Sequence, residues 1–155
     1  MKNNETGRSM IEMLGVLAIV GVLSVGGIGG YSKAMNKYKT NQLREQINTI
    51  SSNLMTTFFN EKSYAALGAT NEEGIAMAKH LKIIPENMIT PSGSVVHAFG
   101  GNLYVKAISY NGHRYGAFSI VCEGLPKEAS ITLAIDNNNI QDVSLMHLKV
   151  AQPSD

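Results

Sequence analysis

From Met13 to Gly30 the chain runs for eighteen residues, "MLGVLAIVGVLSVGGIGG", without one charge. As a helix this run rises about 27 Å, close to the roughly 30 Å hydrocarbon core of a bilayer, and it predicts a membrane span over about residues 13–30. Glu12 stands at its very edge. An ionised carboxylate is costly to bury in lipid, so its position there asks for a partner or a task. A secretory signal peptide has a similar outline, with Lys2 and Arg8 as its basic end, and small residues such as Ser24 and Gly26 leave cleavage near that point open. Orientation is ambiguous on charge alone. Lys2 and Arg8 precede the run while Lys33, Lys37, Lys39 and Arg44 follow it, so a positive-inside count puts the C-terminal part in the cytoplasm.

The helical pattern continues past the span. Tyr31, Met35 and Tyr38, then Leu43, Ile47, Ile50, Leu54 and Phe58, recur at helical spacings, and no proline occurs before Lys62. One helix over about residues 8–60 is expected, apolar all round in its first half and amphipathic in its second. Gly26, Gly27, Gly29 and Gly30 cluster at its waist, where each glycine costs about 0.8–1 kcal/mol relative to alanine. Gly26 and Gly30 also form a G-x-x-x-G, a spacing that lets helix backbones approach closely.

Residues 61–155 read as one globular α+β domain. Thr70 followed by Glu73 is a capping-box pattern ahead of a helix over about Asn71 to Lys82. The segments "SVVHAF", "NLYVKAISY" and "RYGAFSIVCE" have the texture of strands, and Asn111-Gly112 between the last two is a hairpin signal, so an antiparallel sheet is expected. Pro126 opens a short helix at its first position, Asp136 to Asn139 is a turn, "IQDVSLMHLKV" is a further strand and "AQPSD" is a tail.

Catalytic and metal-binding constellations do not emerge. His80, His97, His113 and His147 fall in different predicted elements without ligand spacing, so no metal or cofactor is expected. Cys122, the single cysteine, reads as a buried inert thiol within a strand. Gly100-Gly101 reads as a bulge or tight bend. A net charge of +1 with 16% charged residues gives no electrostatic reason to expect nucleic acid or an acidic substrate.

Gly7, then Arg8-Ser9-Met10-Ile11-Glu12, then an apolar span resembles the cleavage and methylation signal of type IV prepilins, in which a short polar leader ends in glycine and glutamate is the fifth residue beyond the cut. "IPENMI", "AFGGNLYV" and "FSIVCEGLPKEASITLA" look like the type IVb pilins of conjugative plasmids. The resemblance implies an α+β lollipop whose long N-terminal helix packs, by its second half, on an antiparallel sheet. It also implies a leader over residues 1–7, cleavage between Gly7 and Arg8 by prepilin peptidase, and N-methylation of Arg8. The chain would be a single-pass inner-membrane protein, then a subunit of an extracellular homopolymer built by the pilus assembly machinery. Arg8 stands where the family more often has a hydrophobic residue, and Ser130 where many type IVb pilins have cysteine. The usual proline after the span is replaced by the glycines from Gly26 to Gly30.

The same resemblance suggests a task for Glu12. Cleavage at Gly7 makes the α-amino group of Arg8 a cation, and a carboxylate in low dielectric needs such a partner. The plainer alternative leaves Glu12 solvated in the headgroup zone. At the level of the whole chain, a membrane-anchored binding module that never polymerises, a type II secretion pseudopilin and a secreted enzyme stand beside the pilin reading.

Overall fold

The computed structural model describes residues 5–110, 112–137 and 146–150. The chain divides into two compact units, Met1–Tyr38 and Lys39–Asp155, and helix α1 (Glu5–Thr57) contributes to both. It runs without interruption through the four clustered glycines. In the first unit Ser24 donates its hydroxyl to the Val20 carbonyl, 2.7 Å away, so the polar group of the apolar run is satisfied inside its own helix.

The second unit is organised around one stripe of α1. Leu43, Ile47, Ile50, Leu54 and Phe58 are all buried, and each contributes about 1.5–3 kcal/mol on leaving water. Two polar residues between them fasten loops to the helix. Gln46 accepts the Ala98 N–H at 3.0 Å, and Asn53 donates to the Ile83 carbonyl at 2.8 Å.

Helix α2 (Asn71–His80) carries the expected capping box, with Thr70 accepting the Glu73 N–H and the Glu73 carboxylate accepting the Thr70 N–H. Lys79 and His80 end it, as the helix dipole favours. Strands β1 (Leu103–Tyr110) and β2 (His113–Cys122) form the expected antiparallel hairpin, pairing Leu103 with Cys122, Val105 with Ile120 and Ala107 with Phe118. All six of these side chains join the core cluster that includes the α1 stripe. The fold is therefore α+β, with a long N-terminal helix packed on an antiparallel pair of strands. Gly112 adopts φ +80°, as the tight turn requires, while Asn111 lies outside the described residues.

Several details depart from the sequence expectation. A third strand, β3 (Met146–Val150), joins β2 in parallel, so the sheet is mixed. Helix α3 (Lys127–Asn137) lies between β2 and β3 in the chain and supplies the crossover that a parallel pair needs. Pro126 sits just before α3 rather than at its first position, and its carbonyl accepts both the N–H and the hydroxyl of Ser130. Asp136 and Asn137 are helical and not part of a turn; Asn138, Asn139 and the "AQPSD" tail lie outside the described residues.

Among the described residues, the "SVVHAF" segment makes two isolated bridges, Ile89 with Val95 and Val96 with Asn102, and no continuous strand. Its chain turns back on itself at once, through Gly100 at φ +85°. Between Ile108 and Tyr110 the β1–β2 register shifts, because β2 carries extra residues there. Tyr115, at φ +56°, occupies this bulge, and its carbonyl accepts the Tyr64 N–H at 2.8 Å.

Gly74 seats α2 on β1: a β-carbon at this position would fall on the Val105 carbonyl oxygen. Gly74→Ala should therefore lower the stability of the globular unit by about 1–3 kcal/mol. Gly29, whose β-carbon would meet nothing within 4 Å, serves as the control. Thermal unfolding of the full chain in detergent checks this, and an unchanged midpoint for Gly74→Ala would show that α2 is not seated so closely.

Candidate functional site

The first unit presents an unbroken apolar helix surface. From Met10 to Ile28 its large hydrophobic side chains are between 53 and 75% exposed, on every side of the helix. This is the one helix among the described residues long and apolar enough to cross a membrane. β-Carbons at Gly15, Gly21, Gly26, Gly27, Gly29 and Gly30 would all meet open space. Small residues at these positions leave shallow places where another helix backbone can approach.

Glu12 is exposed on the same helix, one turn beyond Arg8. The backbones of Gly7 and Arg8 are helical, but their side-chain positions lie outside the described residues. Glu12 and Gly26 are fourteen residues apart, about 21 Å along the axis, so the carboxylate and the glycine cluster are separate features.

In the second unit the described side chains of His80, His97, His113 and Cys122 are not gathered. No group of three or more metal-ligating side chains occurs among the described residues, and the side chain of His147 is outside them. Cys122 is buried and free, and burial pushes its thiol up to about 12, which suits an inert core residue.

His97 is more informative. Phe99 donates its N–H to Nδ1 at 3.2 Å, so Nδ1 is the unprotonated nitrogen and Nε2 carries the hydrogen donated to the Glu123 carbonyl at 2.7 Å. The ring thus pins the loop after Val95 to the end of β2. Gly101 makes the clasp possible, since a β-carbon there would strike the Glu123 carbonyl and stand 2.7 Å from His97 Nε2. Burial holds the His97 pKa below its ordinary value, because a charged ring would lose water and set a second proton against the Phe99 N–H. Sequence patterns give this histidine no visible role, since its two partners are backbone groups.

A shallow groove of about 740 Å³ also escaped the sequence reading. It is lined by Ala65, Ala66, Ala69, Ala76, Met77 and Tyr115, with Glu73 and His80 at its polar side. The Glu73 carboxylate is committed to the N–H groups of Ala69 and Thr70, and these bonds hold its pKa below the usual carboxylate range. The alanine-rich wall offers small apolar surface rather than a constellation of reactive groups.

A family model described as PilS N terminal matches residues 37–150. That range covers nearly all of the globular unit and the amphipathic part of α1. No curated protein and no solved structure matches the chain.

The His97 geometry sets a pH dependence. With a folded value below 6.5, the folded state binds fewer protons than the unfolded state, so stability is full above 6.5 and falls as the pH drops through and below it. Substituting His97→Gln should lower stability at neutral pH and flatten this acid slope, measured by thermal unfolding on either side of 6.5. An equally steep slope in the variant would assign the effect to other groups.

Proposed function

Because the chain belongs to the PilS N-terminal family, a type IV pilin-related one, we propose that it is the structural subunit of a type IV pilus or related filament, of the type IVb conjugative-plasmid kind. The observation that carries this reading is the apolar helix, exposed on every side, directly behind the Gly7-to-Glu12 signal. Such a surface needs lipid or other helices around it, and a filament core supplies the second once the first is left behind. The same helix, long and apolar enough to cross a bilayer, supports membrane anchoring before assembly.

In this scheme prepilin peptidase cuts after Gly7, Arg8 becomes the N-methylated first residue, and the inner-membrane assembly machinery transfers the subunit from bilayer to polymer. The leader is cytoplasmic and the globular unit lies outside. The work is done by helix packing and not by catalysis, and the subunit is not an enzyme. Glu12 pairs with the Arg8 α-amino group of its own or a neighbouring copy and sets the register of packing. Loss of one partner of such a buried pair costs about 3–5 kcal/mol. The cluster Gly26, Gly27, Gly29 and Gly30 lowers helical stability at the middle of α1, so the helix yields there when the subunit is extracted or the filament is stretched.

Two measurements test the reading. Mass spectrometry of the protein from membranes should find a chain that begins at N-methylated Arg8. An intact Met1 points instead to an anchored module that does not polymerise, and a cut near Gly26 to a secreted domain. The Glu12→Ala variant should insert into the membrane as the parent does and yet be missing from sheared surface fibres. Normal incorporation of that variant would sink the role of Glu12. A processed subunit that is scarce in such fibres would favour a minor pilin or a type II secretion pseudopilin.

A further inference from the structure

Between Glu12 and Glu45 the chain has no acidic residue, yet Lys33, Lys37, Lys39 and Arg44 follow the uncharged run. Four side chains of the first unit, Tyr31, Lys33, Lys37 and Tyr38, lie within about two turns of α1 immediately after Gly30, and all are exposed. Tyr31 and Tyr38 are 68% and 63% exposed. Seven residues apart, the tyrosines lie on one face of the helix, while Lys33 and Lys37, four apart, share another. No acidic residue stands three or four positions from either lysine, so the helix itself offers no carboxylate to neutralise them.

From Tyr31 to Tyr38 the helix rises about 10 Å, enough to cross one headgroup layer of a bilayer whose hydrocarbon ends near Gly30. Tyrosine, with an apolar ring and a polar tip, settles at that depth, and lysines there reach anionic phosphates.

We propose that Tyr31, Lys33, Lys37 and Tyr38 form a collar that binds the head groups of anionic phospholipids and holds the subunit at a fixed depth before assembly. The collar rests on the membrane-span reading above. Tyrosine rings set the depth, and the paired ammonium groups select anionic over zwitterionic lipid. Lipid phosphates also give the cations on this side of the span a local counter-charge, which eases their conflict with the positive-inside count.

The test uses the full chain reconstituted in vesicles of phosphatidylcholine and phosphatidylglycerol. A Ser32→Cys variant carries a fluorophore, which labels selectively because Cys122 is buried. Energy transfer is then read to an acceptor placed on either lipid. At low salt, transfer should favour phosphatidylglycerol, with a local preference of about fivefold per lysine. High salt, or the added changes Lys33→Gln and Lys37→Gln, should bring the two lipids to parity. Equal transfer to both lipids at low salt, in protein that floats with the vesicles and resists alkaline extraction, would overturn the collar and leave the span intact. Protein that fails to float would overturn both.

Discussion

The contact of one α1 stripe with the sheet is the interaction on which the globular unit depends. Leu43, Ile50 and Leu54 are fully out of water, and Val105, Phe118 and Ile120 meet them from the β1–β2 hairpin within one core cluster. Remove the stripe and the hairpin loses five apolar side chains of the core cluster it shares with α1, and a hairpin without a packed apolar face is at best marginally stable in water. The same helix, one half earlier, exposes hydrophobic side chains on all sides. A single element thus carries two surfaces meant for two surroundings, and the change from an apolar cylinder to an amphipathic stripe marks where one gives way to the other.

Around that core, tight backbone approaches finish the fold. Gly74 lets α2 rest against the β1 backbone, Gly101 lets the loop close on Glu123, and His97 locks that closure through two backbone partners. Ala107 reaches across to the Gly68 carbonyl, and Tyr64 to that of Tyr115, tying the segment before α2 to both strands. These are the bonds of a scaffold. Cys122, sealed among them, is placed for packing and not for reaction. This arrangement agrees with a subunit whose work is to hold shape while its exposed helix makes contacts.

The elements legible in the sequence are those whose causes are local. The Thr70–Glu73 capping box closes within one turn, so four residues suffice to read it. The α1 stripe repeats at helical spacing, and β1 alternates buried with half-buried residues because one of its faces meets the core. The misread segments depend on distant partners. "SVVHAF" has strand texture because Val95 and His97 are buried by the rest of the unit, not because a strand pairs along its length. In β2, four consecutive residues from Ala117 to Ile120 are buried, since this central strand is covered on both faces and its alternation is erased. Of the candidate site, the apolar run, Glu12 and the glycine cluster were visible as sequence; the His97 clasp and the alanine-lined groove were not, because their partners are backbone groups and surfaces contributed by separated segments.

By itself, the sequence determined that this chain has an uncharged run of membrane length just behind Gly7 and Glu12, and that its helical pattern continues as an amphipathic one into an α+β domain. Hydrophobic period and charge are properties of neighbouring residues, so they survive without a fold. Only the tertiary structure decided that β3 runs parallel to β2, that Tyr115 sits in a bulge, and that His97 is a neutral clasp instead of a surface residue. Each of these outcomes depends on which backbone groups meet across the chain, and burial of the intervening side chains settles that meeting only when the whole core closes.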